Sequence, residues 1–504
     1  MGLLNSLITS ALKKRIAGIE HYITQPYDVQ EKIFKNLISV ASNTEWGRKH
    51  HFSAIKNQQQ FSENVPVSSY EEMFPFIERV MKGEQNVLWP SKIKWFAKSS
   101  GTTNAKSKFI PVSKESLKEC HYKGGKDLVS LYMHNNPETK MFDGRSLAIG
   151  GALYPNIGYK DTYFGDISAV IMANLPVWAQ AVRSPNLKVA LMEEWEEKIE
   201  KIAAITSEKK ITNISGVPTW TMILLDKILK MKGKQNMHEV WPHMEVFFHG
   251  AVAFHPYKDI FKRFFPDGIH YMETYNASEG FFGMSQGFNS DEMLLMLDYG
   301  IYYEFIPFED IESDSPKILT LSEVEVGKNY ALVISTNAGL WRYKIGDTVR
   351  FTSVKPYKIK ISGRTKHFIN AFGEELIIEN AEEAITKACK ATSAVMVNFT
   401  AGPTILEGQH KGRHEWVIEF STMPSDMAKF GEVLDDSLKL VNSDYEAKRY
   451  KDMALQMPKI YPVPEGTFYN WMKKRGKLGG QNKVPRLSNN REFLDDILKV
   501  INGA

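Results

Sequence analysis

Ser99-Ser100-Gly101-Thr102-Thr103-Asn104-Ala105-Lys106-Ser107-Lys108 is a run of hydroxyls, one glycine and two lysines between two strand-like segments. Ile93, Trp95 and Phe96 precede it, Phe109-Ile110-Pro111-Val112 follow it, and Ser113 is placed to open a helix. Hydroxyls and backbone N–H groups donate to phosphate oxygens, glycine lets the backbone approach closely, and lysine neutralises charge, so the composition suits a polyphosphate. The same residues are the ordinary material of a turn, and composition alone leaves both readings open. A Walker loop is excluded, because Ala105 stands where it needs a glycine directly ahead of Lys106-Ser107.

A chain of 504 residues is expected to hold roughly two to four domains, at about 150 residues each. With 43% hydrophobic and 24% charged residues it has the make-up of a globular protein and can build a core without staples. A net charge of +4, with Lys and Arg scattered, gives nucleic acid binding no support. Cys120 and Cys389 are far apart and show no metal spacing, which fits two plain thiols in a reducing compartment. His243, His249 and His255 stand six residues apart, about 20 Å along a strand at roughly 3.3 Å per residue, too far for one ion. No run approaches the ~18 apolar residues of a membrane span, and the N-terminus lacks the order of a secretory signal. Met1-Gly2-Leu3-Leu4-Asn5-Ser6 fits the loose myristoylation pattern, and equally a first amphipathic helix with Leu4, Ile8, Leu12 and Ile16 on one face. A cytoplasmic protein that binds neither membrane nor nucleic acid is expected.

Along the chain, strand-like segments at 146–150, 211–215, 244–248 and 268–275 alternate with helical ones, which argues for an α/β body. Residues 163–184 are largely apolar, with Ile167, Val170, Ile171, Met172, Leu175, Trp178 and Val182, and read as a buried helix or the wall of an apolar pocket. Residues 294–310 and 317–353 read as a β-rich module. The texture changes at Ser362-Gly363-Arg364, after which a helix (379–388), two strands (394–399 and 415–420), a helix (426–440) and a polar tail make a small α+β unit. The domains expected are therefore 1–362 and 363–504.

Four further stretches stand out. Tyr275-Asn276-Ala277-Ser278-Glu279-Gly280 is a strand end and turn; Asn276 stands where a nucleophile elbow needs glycine, so a serine hydrolase is excluded. Trp341-Arg342-Tyr343-Lys344-Ile345-Gly346-Asp347 reads as a strand with a Gly-Asp turn. Gly363-Arg364-Thr365-Lys366-His367-Phe368-Ile369-Asn370-Ala371-Phe372-Gly373 spans the change of texture, where a hinge would have to lie. Gly479-Gly480-Gln481-Asn482-Lys483-Val484-Pro485-Arg486 puts a lysine on a glycine-flanked loop.

In this order, from residue 99 to 486, the five stretches resemble the motifs of the adenylate-forming enzymes, the superfamily of acyl-CoA synthetases and luciferase. The paired serines, Y-N-A-S-E-G and K-V-P-R look most like the plant auxin-responsive acyl acid–amido synthetases, the Gretchen Hagen family. Ala105 and Ser107 depart from that family's loop, and Arg342 sits one place before its usual slot.

The resemblance implies an α/β fold: a large N-terminal adenylation domain (1–362) with a β-rich module, and a small mobile C-terminal α+β domain (363–504). It implies that Ser99, Ser100, Gly101, Thr102, Thr103 and Lys108 hold ATP phosphates. Tyr275 would stack on adenine, Ser278 bond a phosphate and Glu279 hold Mg²⁺. Asp347 would accept the ribose hydroxyls, Arg364 bond ribose or phosphate, Lys366 serve as the hinge, and Lys483 reach the reacting carboxylate and α-phosphate. Ile171, Met172, Val217, Pro218, Gly250 and Ala251 would line the acyl pocket. The activity implied is an ATP- and Mg²⁺-dependent ligase that activates a small carboxylic acid as acyl-AMP and passes it to an amino acid amine. A CoA or carrier-protein ligase, or a nucleotide-binding regulatory protein without chemistry, are the alternatives.

Overall fold

The computed structural model describes residues 15–99, 108–155, 161–251, 254, 257–311, 313, 315–365, 368–369, 371–372, 374, 376–405, 412–449, 455–478 and 483–501. The chain divides into two compact units. The first holds Met1–Val252, Phe264–Ile345 and Val349–Lys360; the second holds Ala253–Arg263, Gly346–Thr348 and Ile361–Ala504.

The first unit opens with helices. Tyr70–Met81 starts at Ser69, whose hydroxyl accepts the Glu72 N–H while the Glu72 carboxylate accepts the Ser69 N–H, so two orphan donors are satisfied reciprocally. Met73, Ile77 and Val80 recur at helical spacing and are buried. The strands that follow are β1 (Trp95–Ser99), β2 (Lys108–Val112), β3 (Arg145–Ala148), β4 (Leu153–Pro155), β5 (Tyr163–Gly165), β6 (Arg183–Ser184), β7 (Ile211–Gly216), β8 (Val246–Gly250) and β9 (His270–Ala277). Then come β10 (Gly280–Ser285), β11 (Met293–Leu295), β12 (Ile301–Pro307), β13 (Asn329–Thr336), β14 (Tyr343–Val354) and β15 (Tyr357–Arg364). A four-stranded sheet runs β2-β1-β5-β4, and an eleven-stranded sheet runs β12-β13-β14-β15-β11-β10-β9-β8-β7-β3-β6. β6, β3, β7, β8 and β9 are mutually parallel. From β9 to β10 the pairing turns antiparallel, so one sheet combines a parallel half with the β-rich half.

Three sequence expectations change. Residues 163–184 do not form one helix: β5, the helices Ile167–Ala173 and Val177–Ala181, and β6 share them. Pro176 is the reason, since a proline pushes the residue before it out of helical geometry and has no N–H to give. No turn interrupts Gly346-Asp347; β14 runs through it, with Gly346 at φ +94°. Beyond residue 440 the chain is more than a polar tail, for it forms β18 (Lys459–Pro464) and the helices Thr467–Lys474 and Glu492–Ile501.

Arg342 is a core residue. Its Nε donates to Glu304 Oε2 at 2.9 Å and its Nη2 to Oε1 at 2.8 Å, with the two side chains 3% and 6% exposed. Its Nη1 donates to the carbonyls of Val65 (2.7 Å) and Ser62 (3.2 Å), so the guanidinium ties the start of β14 to β12 and to the end of an early helix. The backbone at Arg342 has φ +42°, which aims the side chain inward.

The second unit is built on the sheet β16-β17-β18, where β16 spans Val395–Ile405 and β17 spans Gly412–Thr422. The helices Ile378–Ala391 and Met427–Val441 pack on it through Ala384, Ile385, Phe430, Leu434 and Leu438.

Candidate active site

The parallel half of the large sheet aligns the chain's motifs along one edge. Gly216 at the end of β7 pairs with His249 of β8, and Gly250 with Thr274 of β9. Val217-Pro218, Gly250-Ala251 and Tyr275–Glu279 therefore all emerge at the carboxyl ends of adjacent parallel strands, the usual place for ligands in α/β sheets. Proximity is enforced at Gly250, where a Cβ would lie 2.3 Å from the Thr274 carbonyl oxygen. Ala251 sits at φ +74°, a conformation that costs a non-glycine residue energy and that clusters at functional sites.

β9 and β10 form a hairpin whose turn is Ser278-Glu279. Ser278 is buried and Glu279 half-buried, while the Tyr275 ring is buried with its centroid 4.8 Å from that of Phe282. Gly280 leaves no room for a side chain, since a Cβ would meet Ile301 Cδ1 at 2.6 Å.

Ser99 and Lys108, at the two feet of the hydroxyl-rich loop, are partners in the antiparallel β1–β2 pair. Ser100, Gly101, Thr102 and Thr103 lie outside the described residues. Tyr70 has the best-defined position at the loop's base and sequence reasoning missed it. Its hydroxyl accepts the Phe109 N–H at 2.8 Å, and Lys108 Nζ lies 5.4 Å from its ring centroid. Burial pushes its phenol up to about 12, and the charges of Glu71 and Glu279 add to this, which brings Glu279 within electrostatic reach of the loop's base. No local pattern marks Tyr70 as anything but the first residue of a helix.

On the implied pocket wall, Met172 is buried and Ile171 half-buried in the helix Ile167–Ala173. Gly150 approaches it so closely that a Cβ would lie 1.6 Å from Met172 Cε. Gly216 is close to this wall too, its would-be Cβ 3.5 Å from Ile149 Cβ.

In the second unit Asp347 is half-buried in β14, and Arg364 ends β15, its side chain outside the described residues, as is Lys366. Lys483 is exposed. The residues just after it are fixed firmly. Thr400 Oγ1 donates to the Pro485 carbonyl (2.7 Å), Ala401 N–H to the Arg486 carbonyl (2.9 Å), and Ser488 N–H to the Ala401 carbonyl (3.1 Å). Arg486 is 7% exposed, lies 4.5 Å over the Phe399 ring and donates to the Tyr257 hydroxyl. The K-V-P-R stretch is thus a rail laid along the outer edge of β16, with the lysine at its free end.

One pH effect arises beside Asn276. His121 is buried and its Nδ1 lies 3.2 Å from Asn276 Oδ1; burial pushes the imidazole down from 6.5 to about 4. Between those values the unfolded chain takes up a proton that the fold refuses, so stability falls as pH falls through this window. At ~1.4 kcal/mol per pKa unit the loss reaches about 3 kcal/mol by pH 4. His121→Asn should remove that share of the acid sensitivity. Urea unfolding of both proteins at pH 7 and 4.5 checks it, and equal losses would show that His121 is not the cause.

Comparison with known proteins bears on the whole chain. The GH3 family N-terminal domain matches residues 15–269, the GH3 family central domain residues 294–364, and the GH3 family C-terminal domain residues 379–492. An indole-3-acetic acid-amido synthetase of Arabidopsis thaliana, GH3.3, is 23% identical over 548 residues, covering 94% of this chain and 91% of that protein. The 4-substituted benzoates-glutamate ligase GH3.12 of the same plant is 21% identical, covering 91% and 92%. Among solved structures, the GH3.15 acyl acid amido synthetase superposes with a TM-score of 0.77 at 17% identity, over 96% of this chain and 95% of that one. A 2-hydroxyisobutyryl-CoA ligase in the postadenylation state, in complex with 2-HIB-AMP, gives 0.59 at 12% identity, over 94% and 92%.

Proposed function

The chain belongs to the GH3 family, and we propose that it is an ATP-dependent acyl acid–amido synthetase that joins a small carboxylic acid to an amino acid. The observation that carries this reading is the single edge at which Val217-Pro218, Gly250-Ala251 and Tyr275–Glu279 meet, with Tyr70, beside the feet of the hydroxyl-rich loop, within electrostatic reach of Glu279. The names of the family relatives, an indole-3-acetic acid-amido synthetase and a benzoates-glutamate ligase, support an organic acid and an amino acid as the two substrates.

A carboxylate is a poor electrophile and must be activated. Its oxygen attacks the α-phosphorus of ATP, an acyl–O–P bond forms, the bond to the β-phosphate breaks, and pyrophosphate leaves. Ser99, Ser100, Gly101, Thr102, Thr103 and Lys108 hold the phosphates, and Ser278 donates to one of them. Tyr275 and Asp347 take the adenosine, with Arg364 on ribose or phosphate. Lys483 brings its charge to the reacting carboxylate and α-phosphate, where negative charge develops in the transition state. Ile171, Met172, Val217, Pro218, Gly250 and Ala251 enclose the acyl group. In the second step the amine attacks the acyl carbonyl, the C–N bond forms, the bond to AMP breaks, and the amine's proton is released.

Mg²⁺ fits the residues present, since this ion takes one or two carboxylates plus substrate phosphates and Glu279 offers a half-buried carboxylate in the turn between β9 and β10. When bound it would neutralise phosphate charge, with Glu279 as its protein ligand. The domains of the reading are 1–362 for adenylation and 363–504 as a mobile unit, hinged at Lys366. No helix among the described residues is long and apolar enough to cross a membrane, and the proposed setting is the cytoplasm, without nucleic acid or membrane partners.

The test is ATP–pyrophosphate exchange with Mg²⁺ across a panel of aromatic and aliphatic acids, followed by AMP release with amino acids or CoA. Exchange with at least one acid and AMP release with an amino acid are expected. AMP release with CoA alone would move the chain to the thioester formers. ATP binding without any exchange would leave a regulatory protein.

A further inference from the structure

We propose that Arg183 binds a substrate carboxylate at the far wall of the acyl pocket: the second carboxylate of a dicarboxylic acid, or the carboxylate of the acceptor amino acid. The proposal rests on the pocket assigned above.

Arg183 lies in β6, the outermost strand beside β3, and is 8% exposed. Its Nη2 donates to Gln180 Oε1 at 2.9 Å, and its Nη1 reaches only the sulfur of Met172, at 3.5 Å, a weak acceptor. Its Nε is buried with no partner. Among the described residues no carboxylate pairs with this guanidinium, and burial alone pulls its pKa down. Gln180 cannot turn away to leave space, because its Nε2 donates to the Met172 carbonyl at 2.6 Å.

A second buried cation is bonded to the backbone that Met172 packs against. Lys198 is 1% exposed, and its Nζ donates to the carbonyls of Gly150 (2.6 Å), Gly151 (3.0 Å) and Met192 (3.3 Å). Gly150 is the residue whose absent side chain makes room for Met172 Cε. Asp166, which accepts the Ala152 N–H at 2.9 Å, is the one acidic group among the described residues that acts on Lys198. Among the described residues two buried cations thus stand against one carboxylate.

Buried charges persist when paired, and one left unpaired lowers stability for no structural return. Met or Leu would fill the space beside Met172 at less cost. A guanidinium with a buried, unused N–H beside a substrate wall is what recognition of a planar carboxylate needs. The ligand class is an acid with an apolar body and a second anionic end, or an acceptor whose carboxylate comes in beside the acyl group.

Arg183→Met and Arg183→Lys test this in two arms. The first measures pyrophosphate exchange with matched pairs, benzoate against terephthalate and hexanoate against adipate, without acceptor. The second measures AMP release with alanine against ethylamine on the best acid. Arg183→Met should raise KM for the carboxylate-bearing member of one arm by about 10- to 100-fold, leaving its uncharged match within about threefold, with Arg183→Lys recovering part of the loss. The arm that responds identifies the source of the carboxylate. Thermal midpoints with and without 10 mM-scale terephthalate, adipate or alanine read binding apart from turnover. A midpoint rise present in the wild type and absent in Arg183→Met would uphold the site even if no acid gave exchange, in which case the synthetase reading falls alone. Equal KM changes for both members of each pair, or no loss of binding in Arg183→Met, would overturn the proposal.

Discussion

Lys483→Ala should lower ATP–pyrophosphate exchange by about 10²–10³-fold, the scale on which removing one pre-placed group from a developing charge acts. The first step brings a carboxylate onto a triphosphate, and the cation that offsets their repulsion matters most when the new bond is half made. The effect should be confined to that step. Synthetic acyl-adenylate mixed with an amino acid should release AMP at the wild-type rate, since the amine attacks a neutral carbonyl and leaves the triphosphate chemistry behind. The rail from Val484 to Ser488 makes the lysine hard to replace from nearby. The residues that follow it are held by three hydrogen bonds to Thr400 and Ala401 and by Arg486 over Phe399. Exchange within threefold of wild type would remove Lys483 from the chemistry.

The second large effect is on stability. Arg342→Ala should destabilise the protein by about 3–5 kcal/mol, because Glu304 would be left charged and buried. Two further groups lose their donor, the carbonyls of Ser62 and Val65. Replacing both members of the pair, Arg342→Met with Glu304→Leu, should recover most of the loss, since the cost of a stranded charge exceeds the net worth of the pair. The carbonyls would still lack a partner, so the recovery stays partial. Urea unfolding followed by tryptophan fluorescence measures all three proteins, and Trp341, fully buried next to Arg342, is well placed to report. A single-site loss under 1 kcal/mol would mean that water or backbone movement rescues Glu304.

The motifs and most of the fold were legible because they rest on local chemistry. The two strands and the serine cap expected around 93–113 appear in space as β1, β2 and Ser113, whose hydroxyl accepts the Ser116 N–H at 2.9 Å. The Ser278-Glu279 turn was equally plain. What escaped was whatever depends on a distant partner. Arg342 reads as a displaced motif arginine until Glu304, 38 residues earlier in the chain, is seen beside it. Tyr70 acquires meaning only from the Phe109 N–H, and Arg183 only from its buried Nε and the lack of a paired carboxylate among the described residues. Pro176 was visible, yet the apolar run around it outweighed the break it makes. The residues after 440 looked polar because β18 and the last two helices bury one face each, a pattern too short and interrupted to stand out.

The rail along β16 also bears on how the second unit can be handled as a fragment. β16 is an edge strand of eleven residues in a three-stranded sheet, and the chain from Val484 to Ser488 covers its outer side at Ala401, whose N–H and C=O it both engages. A truncation placed just before Lys483 would remove that cover together with the helix Glu492–Ile501, whose Leu494 and Ile497 are buried. It would bare backbone groups on an edge strand, of the kind that recruits other chains into fibrils and inclusion bodies. Expression boundaries, tags and protease sites meant to keep this unit in solution therefore belong beyond the helix Glu492–Ile501.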